Sequence, residues 1–224
     1  MHENTRALAD AAARRVVEAM SEQETTIGLA GGSTPRATYQ ALRQMDAPWE
    51  RTLLWLSDER WVPPDHRDSN GLMVAESLAA HVPAPFLRPP WGADPAQAAV
   101  EYEATLRSRL GEDRFTVVML GMGIDGHTAS LFPGSAALNS TADRWYVENW
   151  VPQLEVHRLT ATKSLIAAAD LVLVLVSGAA KAAVLAEVLE GPAERYPIQF
   201  VRDLESLWLV DEAAAGGLTA ITIE

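Results

Sequence analysis

The chain contains no cysteine. Disulfide cross-links, thiolate catalysis and cysteine-ligated metals are therefore excluded, and the absence fits a reducing compartment. Lysine is almost missing: of 18 cationic side chains only Lys163 and Lys181 are lysine, and the rest are arginine. Positive charge as a whole is scarce. Against 30 acidic residues it leaves a net charge of −12 and a pI of about 4.8. A general nucleic-acid binder needs clustered cations, so that class is excluded. An anionic small molecule can still be bound where a few local cations overcome the global field. Long apolar runs are also lacking. The strongest, Leu171 to Val176, is far too short to cross a bilayer. Residues Met1 to Arg6 hold no apolar signal core. The expectation is a cytoplasmic protein without membrane association. His2, His66 and His81 have no metal-ligand spacing and no HxxxH pattern occurs, so no metal is expected.

What is present is a chain of 224 residues, 48 % hydrophobic and 21 % charged, which suits one soluble domain, residues 1–224, with a sizeable core. Hydrophobic periodicity predicts helices over Thr5 to Met20, Ser69 to His81, Pro95 to Leu110 and Lys163 to Ala169. Strands are predicted at Thr25 to Ala30, Thr52 to Leu56, Phe115 to Leu120, His157 to Thr162, Leu171 to Val176 and Leu207 to Val210. A helix through Leu42 should follow Gly31-Gly32, with Ser33 or Thr34 as its cap and Pro35 in its first turn. Another should run from Ser177-Gly178 to Leu189. Val82 to Pro95 is proline-rich and reads as irregular, with one short strand at Phe86 to Arg88. Ala136 to Val156 carries no clear signal and reads as a mobile loop over the site. Strands alternating with helices predict an α/β fold: three layers, with a mostly parallel sheet covered by helices on both faces.

Ligands in such sheets sit at the carboxyl ends of the strands, and four predicted strands end in polar or glycine-bearing turns. Gly121-Met122-Gly123-Ile124-Asp125-Gly126-His127 places an acid and an imidazole two residues apart on a turn that its glycines allow. Imidazole titrates near neutral pH and can act as a general base. Side chains at i and i+2 diverge on an extended segment, so Asp125 partners His127 only if the chain turns there; Asp58 is the alternative partner. Gly31-Gly32-Ser33-Thr34-Pro35 opens a helix whose free N–H groups favour a phosphate, although no Gly-Lys-Ser/Thr of a Walker loop follows. Ser57-Asp58-Glu59-Arg60 reads as a charged loop in which Arg60 could clamp an anion or polarise a carbonyl. Arg158 and Lys181 are candidate phosphate ligands, Lys181 because a cation in the first turn of a helix opposes the dipole. Gly121, Gly123 and Gly126 match the dinucleotide pattern GxGxxG, but Pro133 arrives too soon for the long helix that pattern serves.

Read together, these segments resemble the 6-phosphogluconolactonase family, which belongs to a larger group with glucosamine-6-phosphate deaminases and isomerases. The resemblance runs in order through Gly31 to Pro35, Asp58 to Pro63, the segment Gly121 to Pro133 that contains GHTASLFP, Arg158 to Thr160 and Ser177 to Lys181. It implies the deaminase/ribose-5-phosphate isomerase-like fold and hydrolysis of 6-phospho-D-glucono-1,5-lactone in the pentose phosphate pathway, without a cofactor. By position, the resemblance makes His127 the general base and Asp125 its neighbour. It gives the phosphate to Arg158, Lys181 and the loop of Gly31, Gly32, Ser33 and Thr34. Asp58 and Arg60 would line the sugar side. The expected partner is the small sugar-phosphate lactone, and the acidic surface suits a monomer or weak homo-oligomer.

Two other readings are set beside it. The deaminase motif resembles GHIAFNEP, and its glutamate falls on Phe132, which cannot shuttle a proton. A silent sugar-phosphate sensor would keep Arg158, Lys181 and the glycine loop but would have no use for Asp125 and His127.

Overall fold

The computed structural model describes residues 1–20, 24–92, 94–111 and 115–219. In chain order the elements are α1 (Thr5–Ala19), β1 (Thr25–Leu29), α2 (Ser33–Leu42), β2 (Thr52–Leu56), β3 (Asp58–Arg60), α3 (Asn70–Ser77), β4 (Phe86–Leu87) and α4 (Pro95–Leu110). There follow β5 (Phe115–Gly121), β6 (Tyr146–Val151), β7 (Val156–Ala161), α5 (Lys163–Ala167), β8 (Ala169–Val176), α6 (Ala182–Glu190), β9 (Ser206–Val210) and α7 (Glu212–Ala215). Among the described residues, six strands form one sheet in the order β4-β2-β1-β5-β8-β9, every neighbouring pair parallel.

The alternation of side chains along each strand divides the core into two layers. Ile27, Leu29, Val117, Met119, Leu173 and Leu175 pack with Leu8, Ala12 and Val16 of α1, Tyr39 and Leu42 of α2, and Val74 of α3. Val118, Leu120, Val172, Val174 and Val176 pack with Tyr102 and Leu106 of α4, Ile166 of α5, and Leu185 and Val188 of α6. Both faces are covered, which is why these strands read as nearly continuous apolar runs. The three-layer α/β expectation is met.

Two expectations fail, and both concern a second, smaller sheet of order β3-β7-β6. Asp58 to Arg60, expected as a charged loop, is a strand antiparallel to β7, with Asp58 opposite Thr160 and Arg60 opposite Arg158. Its charges are spent on specific partners, so they do not mark a solvated loop. Tyr146 to Val151, inside the stretch expected to be a mobile loop, pairs along its whole length with β7. The strand was illegible because its burial runs against polarity: polar Asn149 is buried while Trp150 is 43 % exposed. The predicted cap of α2 is also wrong. The N-cap is Gly32, at φ +110°, and no side chain caps the helix.

Gly28 shows how tightly the two layers constrain the sheet. A Cβ there would lie 2.6 Å from the ring of Trp55, which is fully buried on the neighbouring strand β2. Gly28→Ala is therefore expected to destabilise the protein by about 1–3 kcal/mol. Denaturant unfolding should show the loss, and the double variant with Trp55→Leu should recover part of it.

Candidate active site

The parallel sheet delivers its carboxyl ends to one edge, and a cavity of about 330 Å³ opens there. Its walls include Gly31, Gly32, Ser33 and Thr34 after β1, Asp58 and Arg60 of β3, and His127 after β5. Arg158 of β7 and Lys181 after β8 complete the cationic side. All the site residues singled out in the sequence line this cavity except Asp125, which stands behind His127.

After β5 the chain turns back sharply. The N–H of Gly123 donates to His127 O at 2.8 Å and that of Gly126 donates to Gly123 O at 3.1 Å. Gly126 sits at φ +72°, with the Tyr196 side chain against its α-carbon. This turn resolves the geometric question: Asp125 Oδ1 is 2.5 Å from His127 Nδ1 and also accepts the His127 backbone N–H at 3.2 Å. Burial pushes the Asp125 carboxyl up, but the imidazole and its N–H bonds outweigh that and hold it below the usual aspartate range. An ionised carboxylate only accepts, so Nδ1 carries the proton and Nε2 is left as the basic nitrogen. Asp58 takes no part in this pair. It is buried and accepts from Ser130 Oγ at 2.8 Å and Ser57 Oγ at 3.4 Å.

Several residues help to build the site without having been assigned a structural part in it from the sequence. Thr128 and Ser130, both fully buried, tie the turn down. Thr128 Oγ1 donates to Gly121 O at 2.9 Å, and Ser130 N–H donates to Thr160 Oγ1 on β7 at 3.1 Å. Asn149 Nδ2 of β6 donates to Ser130 O at 2.8 Å. Between Thr128 and Ser130, Ala129 is held at φ +48°, a conformation costing a non-glycine residue about 1–3 kcal/mol and tolerated because its neighbours are fixed. Phe132 is buried and stacks on the His127 ring, with centroids 4.1 Å apart and planes 25° apart. The Arg158 guanidinium lies 5.9 Å from the centre of the same phenyl ring. Asn70, at the start of α3, also lines the cavity, and its Nδ2 donates to Asp58 O at 3.0 Å.

Glu59 anchors β3 to α3. It accepts the backbone N–H groups of Arg60, Asn70 and Gly71 and the Ser69 hydroxyl, at 2.6–3.0 Å. Burial nonetheless raises its pKa, because these bonds offset only part of the desolvation.

One side of the cavity is cationic. Gly32 leaves the first N–H groups of α2 without a side-chain cap. Thr34 Oγ1 and Ser177 Oγ are 2.7 Å apart, joining the loops after β1 and β8. Burial lowers the pKa of Lys181, and the negative charge of Asp125 opposes that shift. Burial also lowers the pKa of Arg158, opposed chiefly by Asp58, and its Nε is buried without a hydrogen-bond partner. Among the described residues, no group of three or more His, Asp or Glu side chains could hold a metal ion. No helix among them is long and apolar enough to cross a membrane.

An imidazole oriented by a carboxylate thus faces a cation-lined cavity at the carboxyl edge of a parallel sheet. The family model described as glucosamine-6-phosphate isomerases/6-phosphogluconolactonase matches residues 2–208. The chain belongs to this family. It is 38 % identical to a 6-phosphogluconolactonase of Synechocystis, covering 91 % of this chain and 89 % of that one. It is 39 % identical to one of Nostoc, with coverage of 87 % and 85 %. The solved structure of 6-phosphogluconolactonase from Trypanosoma brucei superposes with a TM-score of 0.85 at 30 % identity, over 98 % of this chain and 97 % of that one.

Gly123 explains why the turn holds no side chain at that point. A Cβ there would lie 2.1 Å from His127 Nδ1 and 2.5 Å from Asp125 Oδ1. Gly123→Ala is expected to break the Asp125–His127 bond while leaving the sheet folded. The downfield Nδ1 proton resonance should disappear from the NMR spectrum with little change in Tm.

Proposed function

We propose that this protein hydrolyses 6-phospho-D-glucono-1,5-lactone to 6-phospho-D-gluconate, as a soluble cytoplasmic enzyme of the oxidative pentose phosphate pathway, with His127 as general base. The observation that carries the reading is the Asp125–His127 pair, which leaves Nε2 free on the wall of a cavity lined by Lys181, Arg158 and Arg60. In this mechanism Nε2 takes a proton from water as its oxygen attacks the lactone carbonyl. Asp125 fixes the tautomer and stabilises the imidazolium. The tetrahedral intermediate then collapses, the ring C–O bond breaks, and the imidazolium returns its proton to the departing ring oxygen. Arg60, whose Nη1 donates to Asp68 O at 2.8 Å, is placed on the sugar side with Asp58. The phosphate is assigned to Lys181, Arg158 and the N-terminus of α2, where its binding energy orients the distant carbonyl.

The cavity argues against deamination. Where a deaminase would need a proton-shuttling glutamate, Phe132 presents a buried hydrocarbon ring stacked on His127. Every group in the proposed mechanism comes from one chain, so action as a monomer or weak homo-oligomer belongs to the same proposal. A sensor would retain function without the imidazole.

The decisive assay follows freshly generated lactone against an enzyme-free blank at slightly acid pH, with glucosamine 6-phosphate in parallel. Wild-type protein should accelerate ring opening, and His127→Ala should lower kcat by about 10²–10⁴-fold while still binding 6-phosphogluconate. Ammonia release from the amino sugar, or acceleration that survives the substitution, would contradict the assignment.

The phosphate seat has its own test, because the chain has only two lysines. The Lys181 Nζ resonance can be identified by comparison with Lys163→Arg. In the free protein it should titrate below the ordinary lysine value, since burial disfavours the cation. A bound phosphate favours the charged form, so saturating inorganic phosphate should raise that pKa, and phosphate should bind more weakly as pH rises through it. A Lys181 resonance unmoved by phosphate would remove this residue from the seat.

A further inference from the structure

Beside the catalytic cavity lies a second one, of about 250 Å³, and the two share Gly32, Ser33, Arg60 and Asn70. Two further arginines line only the second: Arg36, in the first turn of α2, and Arg67, in the segment between β3 and α3. Among the described residues no carboxylate lines this cavity. Nor does any ion pair or side-chain hydrogen bond among them engage Arg36 or Arg67. Both oxygens of Glu59 are occupied by donors from Arg60, Ser69, Asn70 and Gly71. Asp68 offers Arg60 its backbone carbonyl, and the exposed carboxylates of Asp65 and Asp68 lie outside the lining of the cavity.

Three arginines thus line one small cavity whose described lining holds no carboxylate, in a protein of net charge −12. Like charges so placed repel one another, and Arg36 and Arg67 are exposed at the cavity without a side-chain partner among the described residues. Their combined field favours an anion. Arg60, shared by both cavities, is the point at which such an anion would pass from one to the other.

We propose that this second cavity is an entry subsite for the phosphate monoester of the incoming substrate, which is held by Arg36, Arg67 and Arg60 before the sugar moves into the catalytic cavity. The proposal rests on the functional reading above for the identity of the substrate. It explains how a dianion approaches a strongly acidic protein: a local concentration of positive charge attracts it within the Debye length of about 10 Å at 0.1 M salt.

The test is the double variant Arg36→Gln with Arg67→Gln, neither residue being part of the catalytic cavity. Its kcat should equal that of wild type. Its kcat/KM should fall about ten-fold at low salt and converge with wild type near 1 M salt, where screening shortens the Debye length to about 3 Å. Inorganic phosphate titrated into the wild-type protein should shift the Nε–H resonances of Arg36 and Arg67 saturably. Resonances that do not move would overturn the subsite. Saturable shifts with an unchanged kcat/KM and salt slope would overturn its role in entry. A wild-type protein that turns over no lactone would overturn the functional reading, and the phosphate titration would then decide this proposal alone.

Discussion

Six strands running in one direction bring their carboxyl ends to a single edge, and the site depends on that constraint before any side chain is chosen. It is why Gly31 and Lys181, 150 positions apart in the chain, line one cavity. The 2.7 Å contact between Thr34 and Ser177 marks the seam where two of these loops meet. The small antiparallel sheet adds what the parallel one cannot. By pairing β3 with β7 it sets Arg60 opposite Arg158 and puts Asp58 within reach of Ser130. The turn that carries Asp125 and His127 is therefore held from two directions, through Thr128 to the large sheet and through Ser130 to the small one.

Charge in the cavity is arranged against the grain of the whole molecule. Burial disfavours the charged forms of Lys181 and Arg158, and only part of that is recovered from Asp125 and Asp58. His127 and the N–H bonds hold the Asp125 carboxyl below its usual range against burial, and the charge of Asp125 in turn supports the Lys181 cation. In the function proposed, a phosphate bound between Lys181 and Arg158 would offset the cost of burial for both cations, and no positive net charge is required.

Most of the large sheet was legible because its strands are apolar runs bounded by glycine and polar turns; β2 and α4 fall where periodicity set them. The residues that line the cavity were legible because polar and glycine-bearing turns gather at strand ends. What stayed hidden has a common physical cause: polar residues whose partners lie far along the chain. Asn149 looks like a surface residue until Ser130 and Ala137 are seen beside it. Glu59 reads as solvated charge until the start of α3 is found bonded to it. Trp150 is large and aromatic, yet it is exposed. The Asp125–His127 contact could not be decided from spacing, because it depends on Gly126 adopting a positive φ. Glycine permits that conformation without requiring it.

Phe132 joins these strands of the argument. Read along the chain, it is a departure from the deaminase pattern and no more than that. In the folded protein its ring lies flat on His127, on the wall it shares with Arg158. One side chain therefore covers one face of the His127 ring with hydrocarbon and leaves Asp125 to fix the ring's edge, and in the mechanism proposed it offers no proton shuttle. A carboxylate at that position would place a second negative group beside the Asp125–His127 pair and near a guanidinium assigned to phosphate, competing with the substrate for both. The apolar ring avoids that competition. Two chemistries that share a fold can thus be separated by whether the imidazole is packed against hydrocarbon or against a second acid.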